Sequence, residues 1–448
     1  MEKPVKNKRK FFIISTYAEI LDVAMQLQYE GNEVVLSIPN HDYKTIGDGI
    51  VKKDDLWWNY LDKDWIFVID GCEHGALQDW LREKGEAVFG GSAQGDRLEN
   101  DRQLGQKWFK QAGFFQPESQ NFKDIPSAIK FVLDHPKQQW VLKQNADASK
   151  SINHVGKFEG NEDMLYHLEQ LKTKWNEAEF GKFDCDLMEK VEGLELAVSC
   201  FFNGKDFMQN KDGKIVAYIN WEEKKQSEGG MGATTGETGT TFLSVDEDNK
   251  NFKQVMGHPK ILEVLRASKF RGVFDINCIL TKQGMVALEP TCRPGIPGSS
   301  YEFIEGLDMP TGDMLEAVAK GQNTPIELKP GVGMVLVVAA KPFPVEAHVS
   351  SEATSIGEKL WILKDGQPVK EMDEEQKKHI HLQNFKKENG DFVVATTNGY
   401  LLTTTLRGKT IKQVQKDLVE YTKTNLYLSD MVVRHDIGER ILNYYARK

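Results

Sequence analysis

The sequence predicts an α/β unit with a doubly wound parallel sheet at the N-terminus, followed by an α+β part whose strands are mostly antiparallel. Over residues 11–90, short apolar segments alternate with helical segments, which is typical of a parallel sheet. From residue 185 onward, apolar segments are joined by Asn203-Gly204 and Asp212-Gly213, dipeptides that form tight turns between antiparallel strands.

The composition is that of a globular protein that binds neither nucleic acid nor a membrane. The chain has 448 residues, 40% hydrophobic and 28% charged, which predicts two to four domains. The formal net charge of −10, without a long basic stripe, argues against nucleic-acid binding. The first apolar run, residues 11–14, is too short for a signal or a membrane span. Five cysteines form no C-x-x-C pair, so we expect a cytoplasmic protein with reduced thiols.

The N-terminal elements place two polar segments at one end of the predicted sheet. The pattern predicts helices over residues 18–30 and 76–83 and strands over residues 11–15, 34–38, 65–70 and 88–90. Ligands of doubly wound sheets bind beyond the carboxyl ends of the strands, so residues 15–17 and 70–74 are well placed to line a site. The first strand is followed by no glycine, so a glycine-rich phosphate cradle is not expected there.

A helix is predicted from about Asp96, with one buried stripe of Leu98, Leu104, Trp108 and Phe109. Glu99 and Arg102 are three residues apart on this helix. The two residues have two interpretations: they form an ordinary ion pair, or Arg102 binds a phosphate, for which its planar guanidinium is suited.

The next segment offers a second candidate phosphate ligand. Residues 139–143 are predicted as a strand that ends at Lys143, between helices over residues 127–134 and 162–177. Such a lysine is either a solvated strand end or a phosphate-binding group. The polar residues 145–154 have the length of a loop that folds over phosphates.

The antiparallel part contains strands over residues 187–191, 194–202 and 214–221, and then the Gly- and Thr-rich residues 222–242. A structureless stretch of that length is usually a functional lid, or else a mobile surface loop. With Lys224 and Lys225 nearby, we expect it to cover an anion.

Residues 270–300 form the centre of the predicted site. Two strands joined by a turn at residues 282–284 would place the carboxylates of Asp275 and Glu289 opposite each other, about 5 Å apart at Cβ. Such a pair needs a cation, and magnesium with oxygen ligands and substrate phosphates fits best. The alternative is a solvated polar face of an ordinary hairpin.

The C-terminal part adds one more helix, predicted over residues 409–424. Its predicted strands are residues 333–340, 359–363, 392–397 and 400–405.

The order of these parts resembles the ATP-grasp superfamily, and most of the chain looks like its glycinamide ribonucleotide synthetase (phosphoribosylamine–glycine ligase) family, in the divergent branch seen in archaea and phages. The resemblance is carried by DRLENDR (residues 96–102), LMEKVEGLELAV (187–198), NWEEKK (220–225), TGETGTT (235–241), LEPTCRPG (288–295), GYLLTTTLRGKTI (399–411) and RHDIG (434–438).

The resemblance implies a role for each matching residue. Magnesium, with manganese as the alternative ion, would be held by Asp275, Glu289 and Asn277. Arg293 would grip a phosphate or substrate anion, and Lys143 would act on the transferred phosphate. The remaining ATP contacts implied are Arg102, Glu189, Lys190, Val191, Glu195 and Lys224.

The implied activity is ATP-dependent ligation of a small-molecule carboxylate to an amine through an acyl phosphate. The implied domains are a Rossmann-like domain (residues 1–115), an ATP-grasp domain (116–325) and a small α+β domain (326–448), in a monomer or small homo-oligomer. Three departures concern the acceptor: STYAEILD (15–22) replaces the family's Gly-Gly-Arg-Glu-His, Thr291 replaces a metal-binding Asn, and residues 295–298 replace Gly-Asp-Pro-Glu.

Overall fold

The computed structural model describes residues 8–144, 153–177, 182–295, 298–344 and 353–447. They form two compact units. The first comprises Met1–Asp96, Leu196–Ile276 and Thr291–Lys448, and the second comprises Arg97–Glu195 and Asn277–Pro290. The three predicted domains, divided after residues 115 and 325, stay a prediction. Most of the predicted polar segment 145–154 lies outside the described residues.

The strands, in chain order, are β1 Lys10–Ile14, β2 Glu33–Ser37, β3 Lys52–Lys53, β4 Trp65–Ile69, β5 Ala87–Phe89, β6 Ser119–Phe122, β7 Trp140–Gln144, β8 His154–Val155, β9 Cys185–Glu189, β10 Leu194–Phe202, β11 Val216–Ser227, β12 Met231–Asp246, β13 Gly272–Leu280, β14 Met285–Thr291, β15 Val332–Ala339, β16 Trp361–Lys364, β17 Gln367–Val369, β18 Ile380–Leu382, β19 Phe385–Glu388, β20 Asp391–Val394, β21 Tyr400–Gly408 and β22 Leu426–Tyr427.

The α-helices are α1 Leu21–Tyr29, α2 Gly75–Glu83, α3 Ala93–Asn100, α4 Arg102–Ala112, α5 Ile125–Asp134, α6 Glu162–Lys174, α7 Lys250–Val255, α8 Pro259–Ala267, α9 Thr311–Ala319, α10 Gln376–His379, α11 Ile411–Asn425 and α12 Glu439–Ala446. Among the described residues, no helix has the length and apolar character needed to cross a membrane.

The N-terminal sheet of the first unit is parallel, as predicted, with the strand order β3-β2-β1-β4-β5. Apart from the short edge strand β3, its strands are mostly apolar on both faces, since helices and the rest of the unit cover the sheet. The chain continues from β1 to β2 and β3 on one side of β1 and then crosses to β4 on its other side, which places the switch point between β1 and β4.

The larger sheet of the first unit has the order β13-β10-β11-β12-β15-β21-β18. The prediction that residues 222–242 are a structureless loop is wrong, because most of them pair as the hairpin of β11 and β12. The many threonines explain this result, since a β-branched side chain favours the extended backbone. Gly229 and Gly230 have φ angles of 67° and 71° and form the turn.

The C-terminal segment holds the tip of this hairpin in place. The Gly229 N–H donates to Asp436 Oδ2 at 2.8 Å. Arg434 Nη1 donates to the Lys225 carbonyl at 2.8 Å, and Arg440 Nη2 donates to the Glu222 carbonyl at 2.8 Å. The hairpin is therefore held at its turn and along β11 rather than left as a loop, and a lid role for residues 229–241 stays a prediction.

The second unit contains the antiparallel sheet β6-β9-β7-β8 and the hairpin formed by the end of β13 with β14. Thr281 N donates to the Gly284 carbonyl at 2.9 Å, which closes the turn where it was predicted. The single helix predicted from Asp96 is wrong, since two helices meet at Asp101, whose carboxylate caps the second by accepting from Leu104 N at 3.0 Å.

In the first unit, Glu30 at the C-terminal end of α1 joins that helix to the helix α9. Its Oε1 accepts from Thr311 N at 2.7 Å and its Oε2 accepts from Gly312 N at 2.9 Å. These are the unpaired N–H groups of a helix N-terminus, where a carboxylate is favoured.

We expect Glu30→Ala to lower the free energy of unfolding by about 1–3 kcal/mol, because two charge-assisted hydrogen bonds are lost. Urea unfolding followed by far-UV circular dichroism measures this change. Glu420→Ala, on the exposed side of a helix, is the matched control. Equal midpoints for the two variants would contradict the role of Glu30.

Candidate active site

Four carboxyl groups of the first unit, including that of Asp275, lie close enough to interact. Asp275 lies on β13, Glu222 on β11 and Glu237 on β12, and Glu302 lies on the short π-helix Tyr301–Glu305. Asp275, Glu237 and Glu302 are 7%, 3% and 1% exposed. Burial of so many acids requires partners, because an isolated buried charge is strongly unfavourable.

Hydrogen bonds join two of these groups, Asp275 and Glu302, in a network. Asn220 Nδ2 donates to Asp275 Oδ2 at 3.3 Å and to the Tyr301 hydroxyl at 2.9 Å. That hydroxyl donates to Glu302 Oε1 at 3.3 Å, and Gly295 N donates to Glu302 Oε2 at 3.1 Å. Asp275 Oδ1 is buried and has no hydrogen-bond partner in the described part of the chain. One carboxylate oxygen of the network is therefore available to a ligand.

A β-bulge turns Glu237 into this cluster. Between the pairs Glu223↔Gly239 and Lys225↔Thr234, Lys224 alone faces residues 235–238. Thr238 Oγ1 donates to the Glu223 carbonyl at 2.8 Å and fixes the bulge. Bulges of this kind re-aim side chains and occur near active sites.

The four acids of the cluster have two cations near them, Lys224 and Arg293, and Arg293 acts on Glu302. Lys224 Nζ lies 3.1 Å from Glu222 Oε2. Burial raises the pKa of Glu302 to about 7, and burial together with Glu222 raises the pKa of Glu237 to about 8. Burial, then Glu222 and Glu302, hold the pKa of Asp275 well above its usual range. A bound cation would relieve this repulsion and let the acids ionise.

The cluster fits a cation that the protein binds only in part. No three His, Cys, Asp or Glu side chains stand ready to coordinate a metal among the residues that the structure describes. Magnesium usually takes one or two carboxylates and completes its shell with water and substrate phosphates. Asp275, with its unpartnered oxygen, matches such a shared site better than a closed protein cage.

The predicted site residues are divided between the two units. Asp275, Lys224 and Arg293 belong to the first unit. The second unit contains Arg102, Lys143, Glu189, Lys190, Val191, Glu195, Asn277 and Glu289. Their assembly into one site, including the opposition of Asp275 and Glu289, stays a prediction.

Within the second unit, Arg102 has the features expected of an anion ligand. Its Nε and Nη1 are buried and have no hydrogen-bond partner in the described ranges. Buried N–H groups without a partner are unfavourable, so an anion that accepts from these two nitrogens would be favoured. Lys143 lies near the end of β7, as predicted.

The segment predicted to contact adenine is partly occupied by protein contacts. Glu189 N donates to the Glu118 carbonyl and Lys190 N donates to the Gln139 carbonyl, both at 2.7 Å. Lys190 can therefore offer a base its carbonyl oxygen but not its N–H.

Glu222, Glu237 and Glu302 have no assigned role in the sequence analysis. Glu302 carried a detectable signal, since it is an acid within the apolar run Tyr301, Phe303 and Ile304. Glu222 and Glu237 lie within the NWEEKK and TGETGTT segments, but the bulge that turns Glu237 inward has no sequence signature.

Residues 100–299 match the family described as phosphoribosylglycinamide synthetase, ATP-grasp (A) domain. The phosphoribosylamine–glycine ligase of Helicobacter pylori is 23% identical over 378 residues, 82% of this chain and 80% of that protein. The enzyme of the same name from Lactococcus lactis is 23% identical over 365 residues, 79% of this chain and 78% of that protein.

Solved structures show the same fold. Phosphoribosylamine–glycine ligase from Thermotoga maritima has a TM-score of 0.67 at 17% identity, covering 96% of this chain and 100% of that one. A biotin carboxylase complex with β,γ-ATP from Campylobacter jejuni has a TM-score of 0.62 at 12% identity, covering 98% and 99%. The chain has the ATP-grasp fold that its sequence predicts.

We expect the stability of the metal-free protein to fall between about pH 5 and pH 8. The raised pKa values of Glu302 and Glu237 mean that the folded state keeps protons that the unfolded chain releases, so their contribution is fully favourable below the unfolded pKa and is lost as pH rises through the folded pKa. Glu302→Gln should make this decline smaller by roughly 3 kcal/mol, measured by urea unfolding at several pH values. Glu192→Gln, in an exposed turn, is the control, and an unchanged slope for Glu302→Gln would contradict the assignment.

Proposed function

We propose that this ATP-grasp protein is an ADP-forming ligase that joins a carboxylate to an amine, of the phosphoribosylamine–glycine ligase type. The observation that carries the proposal is the buried, cation-poor carboxylate cluster at Asp275 on this fold. A stable fold without a cation-dependent ligand would gain nothing from such a cluster, because buried unpaired acids destabilise the protein.

The reaction has two balanced steps. A substrate carboxylate oxygen attacks the γ-phosphorus of ATP, which gives an acyl phosphate and ADP. The amine nitrogen then attacks the acyl carbon, the C–O bond to phosphate breaks, and the amide forms with release of phosphate and a proton. Both steps need positioning and charge neutralisation rather than a covalent nucleophile.

Each proposed ligand has a defined task. Arg102 and Lys143 hold the ATP phosphates, and Lys143 also stabilises the γ-phosphoryl group in transfer. Arg293 holds an anionic substrate group. Glu189, Lys190, Val191, Glu195 and Lys224 bind the rest of the nucleotide. Asp275, Asn277 and Glu289 would hold magnesium, or manganese in its place, which when bound neutralises charge on the phosphates.

Glycine with phosphoribosylamine, a step of purine biosynthesis, is the first substrate pair to test, because the similar curated ligases bear that name. A second candidate is the same chemistry on another amine. The observation that favours it is residues 15–22, which contain no glycine or arginine where the family has Gly-Gly-Arg-Glu-His. In either case we propose a cytoplasmic monomer or small homo-oligomer that binds neither nucleic acid nor membrane.

We expect Glu289→Ala to reduce magnesium-dependent ADP release at least 100-fold, because a metal ligand is lost. A coupled ADP assay with ATP, Mg²⁺, glycine and a panel of amines measures this activity. Glu192→Ala is the matched control, and circular dichroism checks that each variant folds. Near-normal turnover of Glu289→Ala would refute the metal assignment. Binding of ATP by the unmutated protein without turnover of any pair would instead indicate a nucleotide-binding protein.

A further inference from the structure

A second polar site lies at the carboxyl ends of β1 and β4, the switch point of the parallel sheet. Ser15 directly follows β1 and Asp70 directly follows β4, and these strands are neighbours in the sheet. In sheets of this kind the crevice at that position is where ligands bind. All residues of this site belong to the first unit.

The site is built from buried groups with defined contacts. The Ser15 hydroxyl donates to Asp70 Oδ2 at 2.5 Å and accepts from Glu19 N at 3.1 Å. Thr16 Oγ1 lies 2.7 Å from His74 Nε2. Ser15 is fully buried and Asp70 is 2% exposed, so this is not a solvated surface patch.

The buried side-chain amide of Gln78 points to a ligand. Its side chain is fully buried, and neither Oε1 nor Nε2 has a hydrogen-bond partner among the residues described. A methyl group on Gly90 would lie 2.1 Å from Gln78 Oε1 and 2.6 Å from the Ile69 carbonyl, which places the amide at the ends of β4 and β5. A buried amide without partners is destabilising, and a polar ligand would satisfy it.

The electrostatics of the site oppose a phosphate group. Glu19 and Glu73 act on Asp70, and together with burial they raise the pKa of Asp70 to about 8. Asp70 has no hydrogen bond or ion pair with a lysine or arginine within the described ranges. An ammonium group would let Asp70 ionise, whereas a phosphate dianion would add to the repulsion.

Three cations around this end of the sheet, Arg82, Lys44 and Lys53, already bind other groups of the protein. Arg82 donates to the Gly90 carbonyl at 2.9 Å and to the Gly91 carbonyl at 2.6 Å. Lys44 donates to the Ile38 carbonyl at 2.8 Å and pairs with Asp55, and Lys53 pairs with Asp48. Moving any of them to a phosphate would break an existing bond.

The site adjoins the segment that carries Arg293. A methyl group on Gly91 would lie 3.2 Å from the Cys292 carbonyl, and one on Gly95 would lie 3.0 Å from Cys292 Cβ. The loop after β5 therefore packs against the residue before Arg293. A molecule bound between Asp70 and Gln78 would lie beside the proposed reaction centre.

We propose that this crevice binds the amine substrate and that this amine carries no phosphate, its ammonium and hydroxyl groups being bound by Asp70, Thr16 and Gln78. The inference rests on the proposed ligase function and specifies its acceptor. It distinguishes this chain from a ligase that must hold a phosphorylated amine.

Matched amine pairs test the inference. Ribosylamine, ethanolamine and glucosamine are compared with 5-phosphoribosylamine, phosphoethanolamine and glucosamine 6-phosphate, each with ATP, Mg²⁺ and glycine. In every pair that is turned over, kcat/KM should be at least 10-fold higher for the member without phosphate. Preference for a phosphorylated member overturns the inference and leaves the ligase function intact.

Absence of turnover with all six amines would count against the proposed function, and calorimetric binding of the same pairs then tests the inference separately. Tighter binding of the phosphorylated members, or binding of no member of any pair, overturns it. Tighter binding of the unphosphorylated members supports it.

Two variants locate the site. Asp70→Asn should raise KM for the amine at least 10-fold and leave KM for ATP within 2-fold. Asp64→Asn, exposed at the opposite end of the same strand, is the control. Gln78→Met removes an amide that has no hydrogen-bond partner among the described residues, so it should raise the amine KM without lowering the melting temperature. A lower melting temperature with an unchanged amine KM would show that Gln78 is structural and would overturn its assignment.

Discussion

The stability of the first unit depends on how the protein compensates the unfavourable burial of several carboxyl groups in its core. Asp275, Glu237 and Glu302 are buried on two strands and a π-helix of the first unit. Asn220, Tyr301 and the Gly295 amide hold Asp275 and Glu302 in place, but the charges of Lys224 and Arg293 do not balance the four acids. The buried acids thus destabilise the protein when no ligand is bound, and a magnesium–nucleotide complex would offset this destabilisation. Binding and stability are linked through the same atoms.

The hairpin of β11 and β12 connects this cluster with the C-terminal segment. Its bulge sets the direction of Glu237, and Arg434 and Arg440 bind the backbone of the opposite strand. Arg434 is 4% exposed and also pairs with Asp436, so its contact with the hairpin is buried. The C-terminal part is therefore a structural support of the hairpin that carries Lys224 and Glu237, although it contributes no predicted catalytic group.

The first unit contains two polar sites, the Asp275 cluster and the crevice at Ser15 and Asp70, and the two differ in their charge. The Asp275 cluster requires a strong cation, which suits a metal ion shared with phosphates. The crevice at Ser15 and Asp70 holds one buried acid, hydroxyl groups and an amide, which suits a small polar amine. The loop after β5 lies against both the crevice and Cys292, so a nucleophile and an activated carboxylate would meet without a long path between them.

Local signals in the sequence were enough to predict the parallel sheet, most later strands and helices, and the turn at residues 282–284. The spacing of apolar residues and the positions of turn-forming residues are local features of the sequence, so the elements that they predict can be recognised without the tertiary structure. The ATP-grasp fold followed from the order of motifs along the chain. The tertiary structure alone decided that residues 222–242 form a clamped hairpin, because the partners of that hairpin lie about 200 residues away in the C-terminal segment. It alone also brought Glu222, Glu237 and Glu302 to Asp275 and left the buried amide of Gln78 without a hydrogen-bond partner in the described part of the chain, since burial and charge proximity depend on packing between distant segments.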